Sequence, residues 1–185
     1  GISSIGGPDG LPAFLVRLEG ALAQGLKLVQ LREPQWPGGA AADTLHQALQ
    51  TVVARCHAAG ARVLVNSVHP SDWWPEADGV HLRASDAAAS SARPDLPDSA
   101  LVGVSAHDHA EVVRARELGA DFAVLGHVLA TPSHPDQPGI GWKGFTEASR
   151  DAGLPVFALG GQSESTRIEA RRHGAHGIAA IRGLL

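Results

Sequence analysis

The sequence predicts an α/β fold: a (β/α)8 TIM barrel that is slightly shortened at both ends. The first observation is that short apolar runs alternate with longer segments carrying apolar residues at helical spacing. The short runs are almost continuously apolar, as expected for parallel strands that are covered on both faces. The second observation is that Gly-Ala pairs recur at Gly60, Gly119 and Gly174, each between a helical segment and a strand-like run. Such joins are typical of repeated βα units.

Eight strands and five helices are predicted in chain order. The first strand is a truncated one at residues Ile2 to Ser4, and eight parallel units close naturally as a barrel of about 200 residues. We therefore take residues 1–185 as one barrel domain. The other strand runs are Leu26–Leu31, Arg62–Val65, Asp78–Leu82, Leu101–Ser105, Asp121–Leu125, Pro155–Leu159 and His176–Ala180. The helical segments are Leu11–Gln24, Ala40–Ala59, His109–Leu118, Trp142–Ala152 and Ser163–His173.

The alternative architecture is a doubly wound open sheet. That fold would need a Gly-rich dinucleotide-binding turn after the first strand. The segment Gly6–Gly10 is rich in glycine, but it contains Pro8 and lacks the G-x-G-x-x-G spacing. The barrel is therefore favoured.

Composition excludes several classes of protein. The chain is 44% hydrophobic and 18% charged, with 15 Lys and Arg against 19 Asp and Glu, a net charge of −4. This balance predicts a globular domain that binds no nucleic acid. No apolar run approaches the ~20 residues of a membrane span, so no membrane association is expected. The lone Cys56 cannot form an intramolecular disulfide, which favours a reducing, cytoplasmic location.

The start of the chain suggests that it is part of a longer polypeptide. The sequence contains no methionine and begins with Gly1, so the native initiator is absent. We therefore expect a covalently linked N-terminal domain as partner. A homo-oligomer is the alternative, because the sequence ends just after the eighth predicted strand and a second copy could cover the gap left on the outside of the barrel.

Polar residues at the carboxyl ends of the predicted strands are the candidates for function, because TIM barrels place their active sites there. This rule selects residues at or just after the end of each strand from the second to the seventh. They are Gln30, Arg32, Asn66, Ser67, His81, Asp86, Ser105, His107, His127, Thr131, Gly160 and Gly161.

The glycine pair is a candidate phosphate site. Glycines let backbone N–H groups point at an anion, and barrels often bind phosphate in the loops after strands seven and eight. A tight turn that merely requires glycine is the alternative interpretation of an isolated pair. The predicted site consists of Gly160, Gly161 and the backbone of Ile181, Arg182 and Gly183.

A collinear series of motifs resembles the thiamine phosphate synthase and TenI family. The resemblance is closest to the TenI-like barrel that forms the C-terminal module of some bacterial Nudix hydrolases. The motifs are VQLRE (Val29 to Glu33), VN (Val65-Asn66), ADGVHL (Ala77 to Leu82) with Asp86, GVSAH (Gly103 to His107), GADFAVLGHVLATPS (Gly119 to Ser133), LPVFALGG (Leu154 to Gly161) and GAHGIAAI (Gly174 to Ile181).

The resemblance implies a partly retained site for the diphosphate of an aminopyrimidine substrate. The synthase pattern V-Q-L-R-x-K supplies an Arg and a Lys; here Arg32 is present and Pro34 replaces the Lys. The pattern N-D supplies an amide and a magnesium-binding carboxylate; here Asn66 is followed by Ser67. The second magnesium ligand matches Asp86. Magnesium binding is therefore expected to be weak, and no cofactor is firmly expected.

The thiazole-phosphate end of the family site is better retained. The T-x-[ST]-K pattern gives Thr131 and Ser133, followed by His134 in place of the Lys. A histidine is mostly neutral at pH 7, so it compensates less negative charge than a lysine. Gln30 and Ser105 complete the residues expected to contact a small-molecule phosphate substrate.

His107 is the expected catalytic residue. It aligns with the histidine that TenI-type thiazole tautomerases use as acid and base, a role that suits an imidazole at neutral pH. The leading hypothesis is thiazole tautomerisation. The alternatives are thiamine phosphate synthesis and a non-catalytic ligand-sensing module attached to a Nudix hydrolase.

Overall fold

The computed structural model describes residues 1–131 and 137–181. Within them, seven parallel strands lie in the sheet in the order of the sequence, which confirms the α/β, TIM-barrel-like class. The predicted truncated strand at the N-terminus is instead a single parallel bridge between Ile2 and Gln30. The strands are β1 (Leu28–Leu31), β2 (Arg62–Asn66), β3 (Gly79–Leu82), β4 (Leu101–Ala106), β5 (Phe122–Gly126), β6 (Val156–Leu159) and β7 (Gly177–Ala179).

The helices confirm the predicted alternation, with one addition. Helix α3 was not predicted, because six residues span less than two helical turns and show no apolar periodicity. None of the helices in the described part of the chain is long and apolar enough to cross a membrane. The helices are α1 (Leu11–Ala23), α2 (Asp43–Ala58), α3 (Ala84–Ala89), α4 (His109–Glu117), α5 (Gly141–Ala148) and α6 (Arg167–Arg172), with 3-10 turns at Pro8–Gly10, Ser71–Glu76 and Glu164–Thr166.

The chain forms two compact units. The first comprises Gly1–His81 and Leu96–Leu101, and the second comprises Leu82–Asp95 and the described residues between Val102 and Ile181. The core of the first unit is apolar and contains Cys56, and burial raises the pKa of this thiol to about 11. The largest fully buried side chains of the first unit are Phe14, Leu18, Leu31, Leu45, Leu49, Leu64, His81, Val29, Val52 and Val63.

In the second unit, helix α4 packs against β5 and helix α5 packs against α4. Val112 and Phe145 are fully buried on these helices, and Leu125 is fully buried on β5. Continuous burial along β5 agrees with its continuous apolar sequence.

Aspartates just before β3 and β5 hold the amino ends of their strands. Asp78 Oδ2 accepts from the N–H of Val63 at 2.7 Å. Asp121 Oδ2 accepts in the same way from the N–H of Val102 at 2.7 Å. Each carboxylate therefore joins the start of its strand to the preceding one, a stabilising role at the end opposite the predicted site.

Candidate functional site

Two amide side chains join the carboxyl ends of β1 and β2 in the first unit. Asn66 Nδ2 donates to Gln30 Oε1 at 2.8 Å, and Asn66 Oδ1 accepts from the N–H of Val68 at 3.0 Å. Both side chains are buried. The structure thus brings these two predicted residues together, each holding the other in one orientation.

Arg32 and His81 lie in the same unit and differ in charge. Arg32 is exposed, and its guanidinium forms no ion pair with any described residue. His81 is buried, and burial together with the charge of Arg32 lowers its pKa to about 4. His81 is therefore neutral at pH 7, which leaves Arg32 as the cation of this pair.

Glu33 is a buried acid that sequence reasoning missed. Its Oε1 accepts from Ser3 Oγ at 2.6 Å and from the N–H of Ile5 at 2.8 Å, and Oε2 accepts from the N–H of Gly6 at 3.1 Å. The carboxylate thereby fastens the N-terminal segment beside the end of β1. It follows Arg32 in the VQLRE motif, but nothing local indicates partners 27 to 30 residues away.

His69 supports the backbone of Glu33. Its Nε2 accepts from the N–H of Glu33 at 3.0 Å, so Nδ1 carries the proton that is donated to the carbonyl of Ala40 at 2.8 Å. Burial lowers the pKa of His69. A neutral ring is required here, because a protonated Nε2 could not accept.

In the second unit, close packing explains the glycine pair after β6. The N–H of Val128 donates to the carbonyl of Leu159 at 2.7 Å, and the N–H of Leu129 donates to that of Gly160 at 3.2 Å. A Cβ atom at Gly160 would lie 2.4 Å from His127 Cβ, and one at Gly161 would lie 2.7 Å from Leu129 Cβ. The turn therefore requires glycine whether or not it binds an anion.

The backbone N–H of Gly161 is a candidate hydrogen-bond donor for a phosphate. Gly161 is exposed, and its N–H donates to no acceptor among the described residues. Ile181 is half-buried just beyond β7, and Thr131 is half-buried beyond β5. The other predicted residues of this region, Ser133, His134, Arg182 and Gly183, lie outside the described residues.

His107 is exposed directly after β4 and contacts an acid on α4. Glu111 Oε2 accepts from both His107 Nδ1, at 2.8 Å, and the N–H of His107, at 2.7 Å. The Nε2 atom of His107 has no hydrogen-bond partner among the described residues. It is therefore available to a ligand. Sequence reasoning selected His107 but missed Glu111, which the i, i+4 spacing could have suggested.

Ser105, half-buried on β4, borders a recess of about 210 Å³. Glu111 and Arg114 of α4 also line it, but the surface that they present to the recess is apolar. The remaining lining is small and apolar: Ala84, Ala87, Ala88, Val104 and Ala110.

Asp86, which the family resemblance matches to a magnesium ligand, is engaged by an arginine. Both carboxylate oxygens of Asp86 accept from Arg83: Oδ2 from Nε at 2.7 Å and Oδ1 from Nη2 at 3.0 Å. The same contact raises the pKa of Arg83. At the other expected ligand position stands the hydroxyl of Ser67. In the described ranges, no three His, Cys, Asp or Glu side chains cluster as metal ligands would.

Comparison with known proteins identifies similar chains. The sequence model of the family described as "Thiamine monophosphate synthase" matches residues 8–184. A thiamine-phosphate synthase of Synechococcus sp. (strain WH7803) is 33% identical over 184 residues, which are 100% of this chain and 51% of that protein. A thiamine-phosphate synthase of Methanoculleus marisnigri is 35% identical over 162 residues, 87% of this chain and 75% of that protein.

The fold comparison agrees. A thiamine phosphate pyrophosphorylase from Pyrococcus furiosus superposes with a TM-score of 0.73 at 22% identity, over 97% of this chain and 82% of that one. At this identity the likeness concerns the fold alone. The chain spans about half the length of the Synechococcus relative.

Proposed function

The chain belongs to the thiamine monophosphate synthase family, and from that premise we propose that it joins a thiazole phosphate to an aminopyrimidine diphosphate. The observation that carries this proposal is the likeness to proteins named thiamine-phosphate synthase, which in the Synechococcus relative extends over the whole of this chain. It favours the synthase over the tautomerase that the sequence analysis placed first.

Each substrate has a candidate contact. The N–H of Gly161, which donates to no acceptor in the described part of the chain, would bind the phosphate of the thiazole, since backbone N–H groups in glycine turns bind anions. The exposed guanidinium of Arg32 would bind the diphosphate, whose departure needs compensation of several negative charges. Pro34 and Ser67 supply no charge, so we expect slower turnover than in a synthase with the complete motif.

Thiazole tautomerisation is the second candidate. The observation that favours it is His107, which presents Nε2 to solvent while Nδ1 is held by Glu111. Proton transfer between ring carbons needs no compensation for a leaving diphosphate, so the missing cations would not impair it. Such a reaction needs one group that accepts and returns a proton, which an imidazole can do.

One mixture distinguishes these activities. The protein is incubated in D₂O with thiazole phosphate, aminopyrimidine diphosphate and Mg²⁺; thiamine phosphate is measured by chromatography and ring-hydrogen exchange by NMR. We expect thiamine phosphate to form. Ring exchange without that product would favour tautomerisation instead, and His107→Gln should then slow exchange by ~10²–10⁴-fold. Binding with neither reaction would favour the ligand-sensing module and contradict the proposal.

The phosphate contact has its own test, with a matched control. Gly161→Ala and Gly161→Asp introduce the same strain, because both add a Cβ atom where φ is +64°. Only the aspartate adds a negative charge beside the proposed anion. Calorimetry with thiazole phosphate should therefore show weaker binding in the alanine variant than in the parent, because the turn is strained, and much weaker binding in the aspartate variant than in the alanine variant. Equal affinities would remove Gly161 from the site.

A further inference from the structure

We infer that Glu111 is a positioning residue that holds His107 in a single tautomer, so that Nε2 serves as the acid and base. The inference rests on the proton-transfer candidate of the proposed function and adds a residue to it. It depends on the two hydrogen bonds that Glu111 Oε2 accepts from His107, through Nδ1 and through the backbone N–H.

The way α4 begins distinguishes this arrangement from an ordinary helix cap. Asp108 is the N-cap, and its Oδ1 accepts from the N–H of Glu111 at 2.9 Å. In a capping box the third helical residue would accept in return from the N–H of the N-cap. Glu111 accepts instead from the N–H of His107, the residue before the N-cap. This shift of one residue brings the carboxylate to the imidazole.

The carboxylate determines which nitrogen of His107 carries the proton. An ionised carboxylate only accepts hydrogen bonds, so Nδ1 must be the donor and the neutral ring keeps its lone pair on Nε2. When Nε2 takes up a proton, Glu111 stabilises the resulting imidazolium. A base oriented by a third group in this manner is a recurrent feature of catalytic sites.

Stability alone does not account for the pair. The side chain of His107 is 66% exposed and that of Glu111 is 36% exposed. Exposed ion pairs of this kind contribute little to folding, because solvent screens them. Asp108 already caps the helix, so the Glu111 contact chiefly fixes the orientation of the ring.

The proton-transfer step balances without a co-reactant. Nε2 of His107 accepts a proton from a carbon atom of the thiazole system; the C–H bond breaks and its electron pair enters the conjugated ring. The same imidazolium then returns a proton to a different carbon. The bond made to Nε2 is broken again, and no oxidant or reductant is consumed.

The experiment reads the tautomer directly and therefore does not depend on activity. ¹⁵N NMR shifts of the His107 ring are recorded at pH 8 in the parent, in Glu111→Ala and in the control Glu117→Ala, which alters an exposed acid on the same helix. We expect the Nδ1–H form in the parent and the control. Glu111→Ala should show mainly the Nε2–H form that predominates in free histidine.

A second variant and a second measurement complete the test. Glu111→Asp shortens the side chain but keeps the charge, and circular dichroism reports whether α4 is retained in each variant. Where the parent exchanges the ring hydrogen of thiazole phosphate in D₂O, Glu111→Ala should slow exchange by at least about tenfold with an unchanged Kd. An unchanged tautomer in folded Glu111→Ala would overturn the inference. If the tautomer changes in Glu111→Ala but the parent exchanges no ring hydrogen, the positioning role of Glu111 is supported and only the proton-transfer activity is contradicted.

Discussion

Acid should destabilise the protein through His81, and replacing this histidine with glutamine should remove that part of the loss. Burial is the main cause of the lowered pKa, which is about 4 in the folded chain against an ordinary value of 6.5; the nearby charge of Arg32 contributes less. The folded state therefore favours the neutral ring. The stability so gained is complete above pH 6.5 and declines as the pH falls towards 4.

The size of the effect follows from these two values. Each pH unit between them corresponds to about 1.4 kcal/mol, so the full loss is about 3 kcal/mol. At pH 4.5 most of it has occurred, between about 2 and 3 kcal/mol. Such a loss is a large fraction of the 5–15 kcal/mol that typically stabilises a domain.

Urea unfolding at pH 7.5 and pH 4.5, at constant ionic strength, measures this contribution. The parent should lose about 2 to 3 kcal/mol more than His81→Gln between the two pH values. Other groups, including His69, titrate in both proteins and cancel in the comparison. His176→Gln, which alters an exposed histidine, should lose as much as the parent. Equal losses in the parent and His81→Gln would refute the assignment of the acid sensitivity to His81.

Two further predictions concern the first unit. Glu33→Ala should lower the free energy of unfolding by about 3 kcal/mol, because the buried donors Ser3 Oγ and Ile5 N–H lose a charged acceptor. Glu19→Ala on the exposed surface is the control and should change that free energy by less than about 0.5 kcal/mol. Similar urea midpoints for the two variants would contradict a stabilising role of Glu33. Combining Ser67→Asp with Pro34→Lys should raise the affinity for aminopyrimidine diphosphate with Mg²⁺ in calorimetry, since both a metal ligand and a cation are restored. Unchanged affinity would show that these positions do not determine diphosphate binding.

Several features could be predicted from sequence because they depend on local pattern. Continuous apolar runs gave the strands to within one or two residues, as at Phe122–Gly126, and the rule that barrel sites lie at strand ends selected Gln30, Asn66 and His107. The N-terminal strand was predicted to be longer than the single bridge at Ile2, because its pairing depends on β1 rather than on its own few residues.

The sequence by itself determined the repeated βα units, their parallel order and the type of residue at each strand end. Only the tertiary structure decided which polar groups are already engaged. Asn66 is selected by its position, yet its amide group is engaged by Gln30, 36 residues away; Glu33 is in a recognised motif, yet its partners belong to the N-terminal segment. These hydrogen bonds and the burial of these groups depend on distances between residues that are remote in the chain. The periodicity of apolar residues in the sequence indicates which face of a helix or strand is buried, but not which polar groups pair.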